Sequence, residues 1–103
     1  MTKVRIKLLR MEAVRGLYEV YHGGNLLKFV NENRNFYVSL PPIVTDKTGI
    51  DAAEEMFDLT NNPSRQDERE ELYGNGRSVS VGDIVEVDGV DYLCSSFGWK
   101  VVG

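Results

Sequence analysis

The chain has 103 residues, 42% apolar and 27% charged, with a formal net charge of −4, a balance ordinary for one soluble domain with one modest core. No apolar run nears the roughly 20 residues needed to span a bilayer. The single cysteine, Cys94, excludes an internal disulfide framework and suits a reducing cytosol, and with one histidine it leaves no zinc site of the usual Cys/His kind, so neither metal nor cofactor is expected.

The amino-terminal stretch MTKVRIKLLRMEAV lacks the uninterrupted apolar centre of a signal peptide, which predicts a cytoplasmic protein. Val4, Ile6 and Leu8 alternate with Lys3, Arg5 and Lys7, the period-2 pattern of a strand with one dry and one wet face. Leu17 to Tyr21 and Leu26 to Val30 flank His22-Gly23-Gly24-Asn25, which predicts a hairpin with glycines placed for positive φ. Asn31 to Asn35 reads as a polar turn. Phe36 to Leu40 reads as a strand stopped by Pro41-Pro42, since proline cannot donate to a ladder.

Helical spacing begins after Thr48. Thr48 followed by Asp51 is a weak capping box, and Ile50, Ala53, Met56 and Phe57 recur on one predicted face, with Asp51, Glu54, Glu55 and Asp58 elsewhere around the helix. Asn61-Asn62-Pro63 ends it. Ser64 and Asp67 repeat the cap pattern and open a charged helix over 65–73, anchored only by Leu72 and Tyr73 and ending near Gly74. In RSVSVGD, Val79 and Val81 are expected to face inward, with Gly82-Asp83 forming a bend. Ile84 to Val87 and Val90 to Cys94 then flank Asp88-Gly89, the signature of a type I′ hairpin, and Trp99 to Val102 supplies a third strand. The whole predicts one α+β domain over 1–103. Its antiparallel sheet has about six or seven strands, with one or two helices inserted before a C-terminal β-meander. Helices over one sheet face would bury Ile50, Ala53 and Phe57 against Val4, Ile6, Val20 and Val85.

Charge is unevenly spread. Residues 1–35 carry +4 and residues 36–103 carry −8. The chain has no Lys-rich block and no basic tail, which disfavours general nucleic-acid binding. Each residue that invites a chemical reading also has a plainer one. His22 has no nucleophile or acid at an arguable spacing, and Cys94 lies among apolar strand residues, the setting of an inert thiol. Asp83, Glu86, Asp88 and Asp91 surround a hairpin without EF-hand spacing. Gly74 and Gly76 lack the Lys-Ser/Thr of a phosphate loop. Tyr18, Tyr21, Phe36 and Tyr37 suggest a base-stacking platform, but aromatic strand residues usually form core or cross-strand pairs. The expectation is a protein that is not an enzyme.

The pattern Tyr18-x-Val20-Tyr21, Glu54-Glu55-Met56-Phe57-x-x-x-Asn61, Arg77-Ser78-Val79-Ser80-Val81-Gly82-Asp83-Ile84-Val85, Tyr92 and Ser96-Phe97-Gly98-Trp99 resembles the YodL-like family over about residues 17–102. These are small proteins and domains carried by bacterial phages and conjugative elements. Cys94, Ser95 and Trp99 depart from the family's usual ending, and the charged stretch from Ser64 to Asn75 is longer than usual. The resemblance implies a mobile-element accessory protein found beside anti-restriction and other host-takeover modules, and it supplies no catalytic residue. Small size and an acidic helix favour action by protein–protein binding, such as inhibition of a host defence component. The expected surface combines Asp67, Glu68, Glu70 and Glu71, whose charge steers encounter, with Phe97 and Trp99 as anchors. The alternative is a nucleic-acid-binding accessory factor using Lys3, Arg5, Lys7 and Arg10 on the first strand.

Overall fold

Strand β1 (Thr2–Leu9) organises the molecule, because both of its edges are paired. The computed structural model describes residues 1–13, 26–74, 76–96 and 98–102. The expected strand at Leu17 to Tyr21, the His22 turn and Phe97 lie outside the described residues. Along one edge β1 pairs antiparallel with β4 (Ile84–Val87), in the register Ile6 to Val85. Along the other edge it carries two short strands end to end, β2 (Tyr37–Ser39) and β3 (Ile43–Thr45). Leu40 still donates its N–H to the Ile6 carbonyl at 2.9 Å. Pro41 and Pro42 then have no N–H to give, so the ladder breaks and resumes at Ile43. The strand expected at Phe36 to Leu40 therefore exists, shortened, and β3 beyond the prolines is an addition.

The carboxyl-terminal meander forms as its turn residues predict. Asp88 at φ +49° and Gly89 at φ +83° make the positive-φ pair that joins β4 to β5 (Val90–Ser95). Strand β6 (Gly98–Val102) pairs only with β5 among the described residues, completing a six-stranded antiparallel sheet in the order β2-β1-β4-β5-β6, with β3 beside β1.

Side-chain alternation gives the sheet two buried faces rather than one. Val4, Ile6, Val85, Val87 and Cys94 turn to one side and meet helix α2 (Gly49–Asn61). Leu9, Ile84, Leu93 and Val102 turn to the other and meet Phe29 and Val30 of helix α1 (Leu26–Glu32). The expectation that Leu26 to Val30 is a strand, and that helices cover a single face, is corrected here. A strand would send the adjacent Phe29 and Val30 to opposite sides. In α1 they share one buried stripe with half-buried Leu26, at spacings of three and four. The polar run after it ends the helix and forms a 3₁₀ turn, Arg34–Phe36.

Helix α2 exists as expected but is rotated about its axis. Its buried stripe is Ala52, Ala53, Met56, Leu59 and Thr60, whereas Ile50 is 49% and Phe57 38% exposed. Two adjacent alanines let the helix backbone approach the sheet, and Leu59 and Thr60 carry the five-residue stripe on to the end of the helix. Thr48 adopts the extended N-cap conformation without making the side-chain bond of a capping box. Past a 3₁₀ turn (Pro63–Arg65), helix α3 (Gln66–Leu72) ends at Gly74, φ +89°, whose N–H returns to the Arg69 carbonyl. Ser64 does not cap it: the N-cap position of α3 is Arg65, without a side-chain cap bond, while Asn62 caps the preceding 3₁₀ turn by accepting the Ser64 N–H at 3.0 Å.

Candidate functional site

Asp83 and its partner Arg77 are the most heavily bonded polar side chains among the described residues, and their role is structural. The Asp83 carboxylate has no exposure to solvent, yet it accepts the Leu9 N–H at 2.8 Å, the Ser80 N–H at 2.8 Å and two Arg77 guanidinium N–H groups at 2.6 and 2.7 Å. Arg77 also donates to the Leu9 carbonyl at 2.7 Å. This bidentate pair therefore ties the end of β1 to the segment leading into β4. Gly82 at φ +96° makes the bend, its carbonyl accepts the Tyr37 hydroxyl at 2.5 Å, and its N–H donates to the Cys94 carbonyl. Burial, with the Asp83 charge nearby, raises the Tyr37 phenol above its ordinary pKa. Tyr37 is thus a half-buried brace and no stacking platform.

Neighbouring polar contacts do similar work. The segment around Val79 has no strand partner among the described residues, and α2 supplies its bonds: Thr60 Oγ1 accepts the Val79 N–H at 3.1 Å and Asn61 Nδ2 donates to the Val79 carbonyl at 2.9 Å. Ser78 donates its hydroxyl to the Thr60 carbonyl. The four hairpin carboxylates do not gather at one point, although two of them meet at Lys7. Glu86 and Asp91 hold Lys7 at 2.9 and 3.0 Å, Asp91 also holds Arg34, and Asp88 sits in the turn. Among the described residues, no group of three or more His, Cys, Asp and Glu side chains is arranged to hold a metal ion. Lys7, the middle of the basic strand, is partly buried in these ion pairs, while Lys3, Arg5 and Arg10 form no ion pair among the described residues.

The outer side of α2 carries a band of acids. Asp51, Glu54, Glu55 and Asp58 line one cleft with Lys47. Arg65 then joins α2 to α3 by binding Glu55, Asp58 (2.8 Å) and Glu68 (2.8 Å), and its guanidinium holds Asp58 and Glu68 below the usual carboxylate range. Arg69 stacks over the Tyr73 ring at 5.4 Å and donates to the Gly76 carbonyl, fixing the exit from α3. Asp67, Glu70 and Glu71 are exposed on α3, and Gln66 donates to Glu70.

Trp99 belongs to the opposite edge of the sheet. It is half-buried on β6 beside Cys94, and with Phe57 and Glu54 it lines a second cleft of about 150 Å³. Glu68 instead lines a cleft with Ile43 and Val44 of β3. The expected acids and the expected aromatic are therefore not neighbours; the acids of α2 lie between them. Sequence spacing alone puts Ile50 and Phe57 inside, which hides this surface, although the acids at 51, 54, 55 and 58 mark one side of the helix. Burial and the charges of Asp83 and Glu54 push the Cys94 thiol up to about 11, so it is inert near neutrality. No helix of the described residues is long and apolar enough to cross a membrane. Comparison with protein-family models, curated proteins and solved structures finds no match to this chain.

Proposed function

We propose that this chain is a small accessory protein without catalytic activity that acts by binding another protein through the outer face of α2 and the adjoining sheet edge. One observation carries the reading. Helix α2 turns Ile50 and Phe57 to solvent next to a band of four acids, beside half-buried Trp99 and Val101, which is 60% exposed. Aromatic anchors ringed by charge are what protein interfaces use to hold and steer a partner. The band continues through Arg65 onto the acids of α3, so the partner it suits carries a basic surface. The likeness of Arg77 to Trp99 to YodL-like proteins supplies the setting: a phage or conjugative element, with a bacterial host-defence component as the target.

Crosslinking and mass spectrometry in bacteria carrying such an element test it. A defined protein should be enriched by the natural chain and lost with a Asp51→Lys, Glu55→Lys double variant of normal thermal stability. Enrichment of nothing, or equal enrichment by both chains, refutes the reading. The alternative reading as a nucleic-acid binder is not favoured, since Glu86 and Asp91 already neutralise Lys7.

A further inference from the structure

The cleft between α2 and β6 has a composition that the general surface argument does not use. It is lined by Phe57 and Trp99 together with Cys94, Ser95 and Gly98, and Glu54 is common to it and to the acidic cleft of Asp51, Glu55 and Asp58. At about 150 Å³ it is well below the roughly 300–1,000 Å³ of small-molecule sites, and its size suits one side chain. We propose that this cleft receives an arginine side chain of the partner polypeptide, the guanidinium lying against Phe57 and Trp99 and pairing with Glu54.

The chemistry selects a cation. Aromatic faces attract positive charge, and a planar guanidinium stacks on them while its N–H fork meets a carboxylate. Glu54 forms no ion pair or hydrogen bond among the described residues, so its charge is available. Glu55, the next residue, and Asp58, one turn along, already bind a guanidinium, that of Arg65. The local field points the same way, since Glu54 and Asp83 add to burial in keeping the Cys94 thiol protonated. An acidic partner segment would meet Glu54 and Asp51 as like charges, and a neutral apolar one would leave the carboxylate unused.

This inference rests on the protein-binding reading and is tested separately from it. The full chain is titrated with a capped glycine-serine peptide containing one arginine, and with the same peptide carrying citrulline, the neutral isostere. Trp99 is the chain's sole tryptophan, so its indole N–H resonance reports the cleft directly. A saturating shift with the arginine peptide and none with citrulline is expected. Affinity should fall about tenfold in Glu54→Gln and in Phe57→Ala, the loss of one charge-assisted or stacking contact. Glu54 is exposed, so Glu54→Gln should keep the natural melting temperature and is the deciding variant, while Phe57→Ala gives up some packing because Phe57 is only 38% exposed. An unshifted Trp99 resonance, an equal response to citrulline, or unchanged affinity in Glu54→Gln overturns the inference. So does concentration-dependent self-association that shifts Trp99 without peptide, because a second copy then fills the cleft. If the crosslinking experiment succeeds while these fail, protein binding stands and the arginine slot falls.

Discussion

Replacing Asp83 with alanine should cost close to half the stability of a domain this size. The substitution strips partners from the Leu9 N–H, the Ser80 N–H and the Arg77 guanidinium at once. The Leu9 N–H is buried and costs about 1–3 kcal/mol when orphaned, whereas the part-buried N–H of exposed Ser80 regains water and adds little. Breaking a buried ion pair from one side costs about 3–5 kcal/mol when the survivor stays dry, but the Arg77 side chain is 33% exposed and regains water, which lowers that figure. Taking the lower ends together gives about 4 kcal/mol, against the roughly 5–15 kcal/mol that holds such domains. Urea unfolding followed by Trp99 fluorescence measures it, with an unchanged slope showing that the folded state keeps its compactness. The double variant Asp83→Ala, Arg77→Met should lose less than the two single losses combined, because the same interaction is removed in each. A loss below about 1 kcal/mol in Asp83→Ala would refute the brace, since even one unsatisfied donor should cost that much.

Two further outcomes depend on the same framework. Thr60→Val keeps the shape of a fully packed side chain but removes the acceptor for the Val79 N–H, and should destabilise by about 1–3 kcal/mol; hydrogen exchange should accelerate at Val79 first. Stability should also fall in alkali. The Cys94 thiol ionises near 9 when unfolded but only at about 11 when folded, so between these values the folded state holds the extra proton and stability declines with rising pH. The Cys94→Ala chain should lack that component of the alkaline slope, and thiol labelling at pH 8 should follow global unfolding in the natural chain.

Local signals were legible where a few adjacent residues decide the backbone. Asp88-Gly89 forces a tight turn, and Pro41-Pro42 forces a break in pairing, so both appear where the chain spells them. Leu26 to Val30 misled because a run of five mostly apolar residues fits a strand or a helix, and the choice fell to Leu9, Ile84 and Leu93 waiting on the far sheet face. The rotation of α2 was hidden for a related reason. Hydrophobicity favours burying Ile50 and Phe57, but close approach to the sheet favours the alanines at 52 and 53. Asp83 reads as a bend residue in isolation, because Leu9, whose N–H it receives, is 74 positions away. The acidic surface was legible in composition only; its position relative to Trp99 depended on which side of α2 faced inward.

The 74 positions between Leu9 and Asp83 also constrain how the chain is made. During synthesis β1 leaves the ribosome long before β4 exists to cover it, so an apolar edge waits while the intervening chain is translated. Sheets closed by such distant partners fold slowly, because the loop entropy is spent before any ladder forms. Newborn copies with exposed β1 are the ones a chaperone should hold, and slowing translation between Leu9 and Ile84 should lower yield more than slowing it after Val87.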